Sequence, residues 1–139
     1  MKSNAFSLSL LCVLFVAACN LRSGKENLYD EVPSGVTDYL VPVWNCVEIP
    51  FVAGKTYENP LAGEERCEMD VLFTHKDGTV IVRPAFWDGG DCFKVRFAPT
   101  LTGIWDYKTI CREDPRLDGL GGTVGSNPYT GDLAVYQHG

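Results

Sequence analysis

The stretch from Cys67 to Cys111 reads CEMDVLFTHKDGTVIVRPAFWDGGDCFKVRFAPTLTGIWDYKTIC. Its first run places Cys67, Met69, Val71 and Phe73 on one face and Glu68 and Asp70 on the other, the period of two expected of a half-buried strand. Asp77-Gly78 then separates that run from TVIVRPAFW, a strong hairpin signal. Asp88-Gly89-Gly90-Asp91 turns the chain into CFKVRFAP, where Phe93, Val95 and Phe97 alternate with Lys94 and Arg96. Pro99 and Gly103 end that run. IWDYKTIC follows, with Trp105, Tyr107, Thr109 and Cys111 on a common face. No window holds a helical period. Short strands at a spacing of roughly 8–12 residues predict an all-β, antiparallel sandwich.

Upstream, VPVWNCVEIPFVA from Val41 to Ala53 alternates Val43, Val47 and Ile49 against polar neighbours until Gly54 breaks it. Residues 20–40 are polar and aperiodic, with Pro33 and two glycines, and read as a flexible tether. The sandwich is therefore expected over 41–139. Downstream of Arg112 the chain is rich in loop signals, with Pro115 and five glycines from Gly119 to Gly131. Leu133–Tyr136 is the one further strand expected there.

The compartment is set at the other end. Met1-Lys2 and the apolar run from Ala5 to Ala18 form a signal h-region too short to span a bilayer. The run closes on Val16-Ala17-Ala18-Cys19, which has the form of a lipobox. Residues 1–19 are accordingly expected to be a lipoprotein signal peptide, with Cys19 lipid-modified. The protein would then sit in the cell envelope, anchored to the outer membrane on its periplasmic or its outer side. An ordinary signal peptide cut near Ala18 is the alternative, and it also exports the chain.

About 120 residues remain after such cleavage, enough for one domain and too few for a (β/α)₈ barrel of about 250. The net charge of −6 carries no basic block, which argues against a nucleic-acid face. Of the six cysteines, Cys46, Cys67, Cys92 and Cys111 belong to the exported domain, where an even number suggests disulfides. Face parity puts Cys67 with Met69, Val71 and Phe73, and Cys111 with Trp105 and Tyr107. Cys67–Cys111 is therefore favoured among the three connectivities; buried free thiols are the alternative. A metal site is not expected, since the cysteines lie far apart along the chain with only His75 and His138 as further ligands. No cofactor is expected either.

A glycosidase needs two carboxylates facing each other about 5–10 Å apart. Glu48, Glu64, Glu65, Glu68, Asp88 and Asp91 lie on strand faces or in turns, and nothing in their spacing selects such a pair. The chain alone is expected to have no catalytic residue and not to be an enzyme. Asp88–Asp91 reads as a turn, because it lacks the ligand spacing and terminal acid of a calcium loop. Among the aromatics, Trp105 and Tyr107 are best spent in the core. Trp87 and Tyr57 stand next to turn residues and are the candidates for contact with carbohydrate.

Six ordered motifs carry a resemblance to a known family. They are Asn59-Pro60; Phe73-Thr74-His75 before Asp77-Gly78; Ala85-Phe86-Trp87-Asp88-Gly89; Val95-Arg96-Phe97-Ala98-Pro99; Gly103-Ile104-Trp105-Asp106-Tyr107; and Asp114-Pro115-Arg116-Leu117-Asp118-Gly119. From Trp44 to Val135 the chain resembles the immunoglobulin-like N-terminal domain, itself of unknown function, that precedes apiosidase-like and collagenase-type glycoside hydrolase barrels. Ala85 departs from the family's usual glycine, and the four cysteines are no part of its pattern. The resemblance implies an immunoglobulin-like antiparallel β-sandwich of about seven strands. It implies a non-catalytic accessory role, bracing or orienting a glycoside hydrolase catalytic domain downstream in the same chain, within a lipoprotein of polysaccharide degradation. Asn127-Pro128 and His138-Gly139 stand in the order that leads into the first barrel strand in the family. Arg96 receives no catalytic duty and reads as half of a structural ion pair. The alternative is a stand-alone surface lipoprotein that binds polysaccharide through exposed aromatics.

Overall fold

The computed structural model describes residues 31–130. The expected signal peptide, Cys19, the start of the tether and the expected strand Leu133–Tyr136 lie outside the described residues.

Among the described residues, eight strands build two facing sheets: β1 Tyr39–Pro42, β2 Val47–Val52, β3 Met69–His75, β4 Val80–Pro84, β5 Phe86–Gly89, β6 Cys92–Phe97, β7 Gly103–Cys111 and β8 Gly121–Asn127. One sheet has the order β1-β8-β7-β3-β4 and the other β2-β6-β5. The order β8-β7-β3-β4 corresponds to G-F-C-C′ of a variable-type immunoglobulin sandwich, and β2-β6-β5 to its B-E-D strands. The all-β sandwich expected from alternation is thus the observed architecture. It has one strand more than the approximate count, and one pair, β1 with β8, runs parallel.

The hairpins fall where the turn chemistry put them. At the β3–β4 turn, His75 N donates to Thr79 O at 2.8 Å and Gly78 N to His75 O at 2.9 Å. Gly78 takes φ 92° there, a conformation closed to most other residues. Two runs that look continuous in the sequence are each split between sheets. VPVWNCVEIPFVA leaves the larger sheet at Pro42 and enters the smaller at Val47, and TVIVRPAFW changes sheet between Pro84 and Phe86. A proline at each break, Pro42 followed by a turn and Pro84 followed by Ala85 alone, ends one ladder and lets the chain pass to the other sheet.

The core lies between the sheets. Phe73 of β3 stacks on Phe97 of β6 with centroids 3.7 Å apart, and Trp105 meets Phe97 edge-on at 5.2 Å. Phe93, Val95 and Phe97 from β6 and Val71, Phe73, Trp105 and Thr109 from the opposite sheet are buried, which is the alternation read from the sequence. Trp105, at the start of β7, donates its indole N–H to Leu101 O at 3.1 Å. This is the anchoring device of a tyrosine corner with a tryptophan in the tyrosine's place.

Two parts of the sequence reading are corrected. Residues 31–40, assigned to a tether, are held against the domain. Val32 is buried and its N–H donates to Asn127 Oδ1, Asp38 bonds Thr123 on β8, and β1 begins at Tyr39. The glycine-rich tail, read as loop, contains β8, an inner strand of the larger sheet between β1 and β7. Its glycines are required by what crosses them: a Cβ on Gly122 would stand 2.5 Å from Tyr107 Oη, and one on Gly125 would stand 2.7 Å from Thr37 Oγ1 and 2.9 Å from Leu40 and Val32. Strand propensity misses a segment whose side chains are absent so that a neighbouring segment can lie on it.

Candidate functional site

Three surface regions gather the residues with chemical potential. The outer face of the small sheet is the first. Glu48 on β2 stands opposite Arg96 on β6 in register, so the two side chains emerge side by side. Glu48 accepts from Arg96 Nε at 3.0 Å and pairs with Lys94 at 3.1 Å, and Lys94 also reaches Asp88 at 2.6 Å. Arg96 in addition lies over the Phe86 ring at 4.7 Å. Lys94, then Arg96, hold the Glu48 carboxyl below its ordinary pKa, and Asp88, then Glu48, hold the Lys94 ammonium above its own. Arg96 thus forms the structural ion pair expected of it, mainly with Glu48, and the acidic turn is engaged by Lys94.

The second region is a cleft of about 360 Å³ at the edge between the sheets, lined by Pro60, Leu61, Cys67, Met69, Trp87 and Phe93 among others. Trp87 is half-buried at its rim, with Nε1 donating to Gly90 O at 3.0 Å. Tyr57 does not join it as an exposed ring. It is only 3% exposed, packs edge-on against Phe93 at 5.6 Å, and bonds Asp114 Oδ2 through its hydroxyl at 3.1 Å. The expectation that Tyr57 stacks on a sugar is therefore corrected: the residue faces inward because a buried acceptor awaits its hydroxyl.

That acceptor is a hub. The Asp114 carboxylate takes the N–H of Gly54 at 2.8 Å and of Arg116 at 2.9 Å as well as the Tyr57 hydroxyl. Burial pushes its pKa up, but the two N–H groups and the hydroxyl outweigh burial and leave it below the ordinary value. The Asp114–Gly119 motif is therefore a structural clamp: it ties the β7–β8 connection to the segment after β2, and buried Leu117 plugs it. Tyr57 is shifted far upward, by burial first and then by Cys67 and Asp114.

Cys67 and Cys111 meet behind this cleft. Both are buried, and their Sγ atoms are 3.6 Å apart. Glu113 offers a carboxylate oxygen 3.9 Å from the Cys111 sulfur, and the three ligand atoms lie within 4.8 Å of one another. Separation along the chain, used to argue against such a cluster, does not limit residues that neighbouring strands bring together. Cys46 is exposed before β2, whereas Cys92 pairs with Val52 at the other end of that strand, so about 17 Å of ladder separates them. No bridge between those two is possible without rebuilding the sheet.

The third region escaped the sequence reading. Trp44 is 66% exposed and sits in the crossover from β1 to β2 with φ 69°, where a bulky side chain is strained. Its N–H donates to Pro99 O at 2.9 Å and Asn45 N to Pro42 O at 3.1 Å, which lock the turn. A hollow of about 260 Å³ adjoins it, lined by Val43, His75, Asp77, Leu101 and Thr102. Buried His75 is held there between Asp77 Oδ1 at 2.9 Å and Thr102 O at 3.0 Å. Only the oddity of a tryptophan between Val43 and Asn45 hinted at this, since the alternation assigned it to a strand.

Comparison with known proteins gives three findings. The family described as "Domain of unknown function (DUF5060)" matches residues 40–112. No curated protein matches the sequence. Among solved structures, the chain is similar to a crystal structure named as that of a "putative glycoside hydrolase" from Bacteroides vulgatus ATCC 8482, with 24% identity and a TM-score of 0.58. The similarity covers 68% of this chain and 17% of that one, so this chain corresponds to a small part of a much longer protein.

Proposed function

The chain belongs to the family of the domain of unknown function DUF5060, and from that premise we propose that it is a non-catalytic accessory sandwich of an exported lipoprotein, bracing a glycoside hydrolase barrel in the same polypeptide. The observation that carries the reading is the fold match to 17% of a longer protein bearing a glycoside hydrolase name. The proposal includes the immunoglobulin-like domain's place ahead of the barrel and anchorage through Cys19, both of which rest on the motifs and the lipobox.

The carboxylates support it. A general acid in a glycosidase needs a pKa raised toward neutrality. Glu48 and Asp114 are shifted the other way, one by cations and the other by N–H donors, and Asp77 is drawn down to about 2 by the Thr79 N–H and then His75. Each is occupied in holding strands or turns together.

A second reading, capture of polysaccharide, draws on one observation: Trp44 presents its ring to solvent beside a hollow. The test serves both. The purified chain is incubated with arabinans, pectic side chains and cellulose, and run through gels containing each polymer. No sugar release and no retardation are expected. Measurable release overturns the non-catalytic reading. Retardation by one polymer that Trp44→Ala abolishes moves the assignment to glycan capture at Trp44, and retardation that Trp87→Ala abolishes places it at the cleft.

A further inference from the structure

We infer that Cys67 and Cys111 are a disulfide site, closed by thiol–disulfide exchange after export, and that they form the single intramolecular bridge available to the four cysteines of the described residues. The inference requires an oxidising compartment but not the accessory role proposed above.

The geometry is the argument. Each cysteine is fixed by its own backbone: Cys67 N donates to Pro60 O at 2.9 Å and Cys111 N to Asp118 Oδ1 at 3.0 Å. In the ladder, Met69 pairs with Cys111, so Cys67 lies diagonally across from it, just beyond the end of β3. The two sulfurs share one buried space at 3.6 Å. Closure to bonding distance asks for small side-chain rotations and no change of strand register. Cys46 and Cys92 stand at opposite ends of the β2–β6 ladder and have no such partner.

The surroundings also set an order of events. Cys67 lines the cleft beside Trp87, whereas Cys111 lies behind it, so an incoming reagent meets Cys67 first. Its thiolate attacks one sulfur of an external disulfide, such as oxidised glutathione or the disulfide of an oxidoreductase. One thiol leaves and a mixed disulfide forms on Cys67. The Cys111 sulfur then attacks the Cys67 sulfur and expels the second thiol. In sum, two cysteine thiols and one external disulfide give one internal disulfide and two external thiols; both cysteine protons end on the released thiols. Burial raises the Cys111 thiol to about 11, so the second step should quicken as pH rises.

The bridge would close a loop of 44 residues and tie the entry of β3 to the exit of β7. The test uses the full chain, alkylated with and without prior exposure to oxidised glutathione and then mapped by mass spectrometry without reduction. A linked peptide pair containing Cys67 and Cys111 is expected, with Cys46 and Cys92 alkylated. Reduction should lower the thermal midpoint by more than about 5 °C, the range for a loop of this length. That shift should persist in the Cys46→Ser/Cys92→Ser variant and vanish in Cys67→Ser/Cys111→Ser. Full alkylation of Cys67 and Cys111 after oxidation overturns the proposal, as does a linked pair of different composition. Stoichiometric zinc that protects both thiols overturns it in favour of a metal site with Glu113 as third ligand. Because mapping is done on the unmutated chain, a variant that fails to fold leaves the result intact.

Discussion

Asp114 shows how much of this domain hangs on one side chain. It is a buried carboxylate whose charge is held chiefly by two backbone N–H groups and a phenol that donate to it, with the Arg116 charge adding to them. Asp114→Ala removes the acceptor and leaves the buried Tyr57 hydroxyl, and the Gly54 N–H, without it. Hydrogen bonds to a charged group and the desolvation of stranded donors together put the loss at about 3 kcal/mol. Asp114→Asn keeps an oxygen acceptor and should lose less. Equilibrium unfolding in urea, followed by circular dichroism, checks the order wild type, Asn, Ala; an Ala variant as stable as wild type would show that the clamp carries no weight. The sequence displayed the Asp114–Gly119 motif in full, but not its meaning, because the residues it holds, Gly54 and Tyr57, lie some 60 positions earlier.

At the scale of elements, alternation located β3, β6 and β7, because those strands have one face in the core and one in water, and turn residues located both hairpins and with them β4, which is largely exposed. Face parity for the same reason brought Cys67 and Cys111 to one buried space. The failures share a different cause. β8 has glycine at Gly121, Gly122 and Gly125, and its identity as a strand comes from β7 on one side and β1 on the other. Trp44 and Tyr57 were misplaced because both lie in crossovers between sheets, where exposure depends on the partner segment and not on period. The reading of β8 makes a prediction. Gly125→Val puts a branched side chain where Thr37, Leu40 and Val32 already stand within 3 Å. The segment 31–42 should lift from the sheet while the remaining strands stay paired. Limited proteolysis should then cut within 31–42 much faster than in wild type, with the circular dichroism β signal largely kept. Unchanged cleavage would mean that the amino-terminal segment is not held through β8.

The whole molecule stores its charge chemistry so that both acid and alkali work against it. On the acid side, Asp77 is drawn down to about 2, and Glu48 and Asp114 are also lowered. A carboxylate with a depressed pKa in the folded state adds stability that is present above its unfolded value and is lost as pH falls through the folded one. The loss should therefore run from about pH 4 down to about pH 2. On the alkaline side, Cys111 is raised to about 11 and Tyr57 is raised further, both first by burial. A thiol or phenol with a raised pKa adds stability that is complete below its unfolded value, near 9 for the thiol and 10 for the phenol, and fades as pH rises toward the folded one. A plateau from about pH 5 to about pH 8 is expected between these slopes. The two alkaline contributions can be separated, because a Cys67–Cys111 bridge removes the thiol and leaves the phenol. Urea midpoints of the reduced protein should begin to fall from about pH 9, and those of the oxidised protein only from about pH 10. Coincident alkaline limbs for the two forms would show that the Cys111 thiol is not the group being titrated, and a midpoint unchanged between pH 5 and pH 2 would refute the carboxylate assignment.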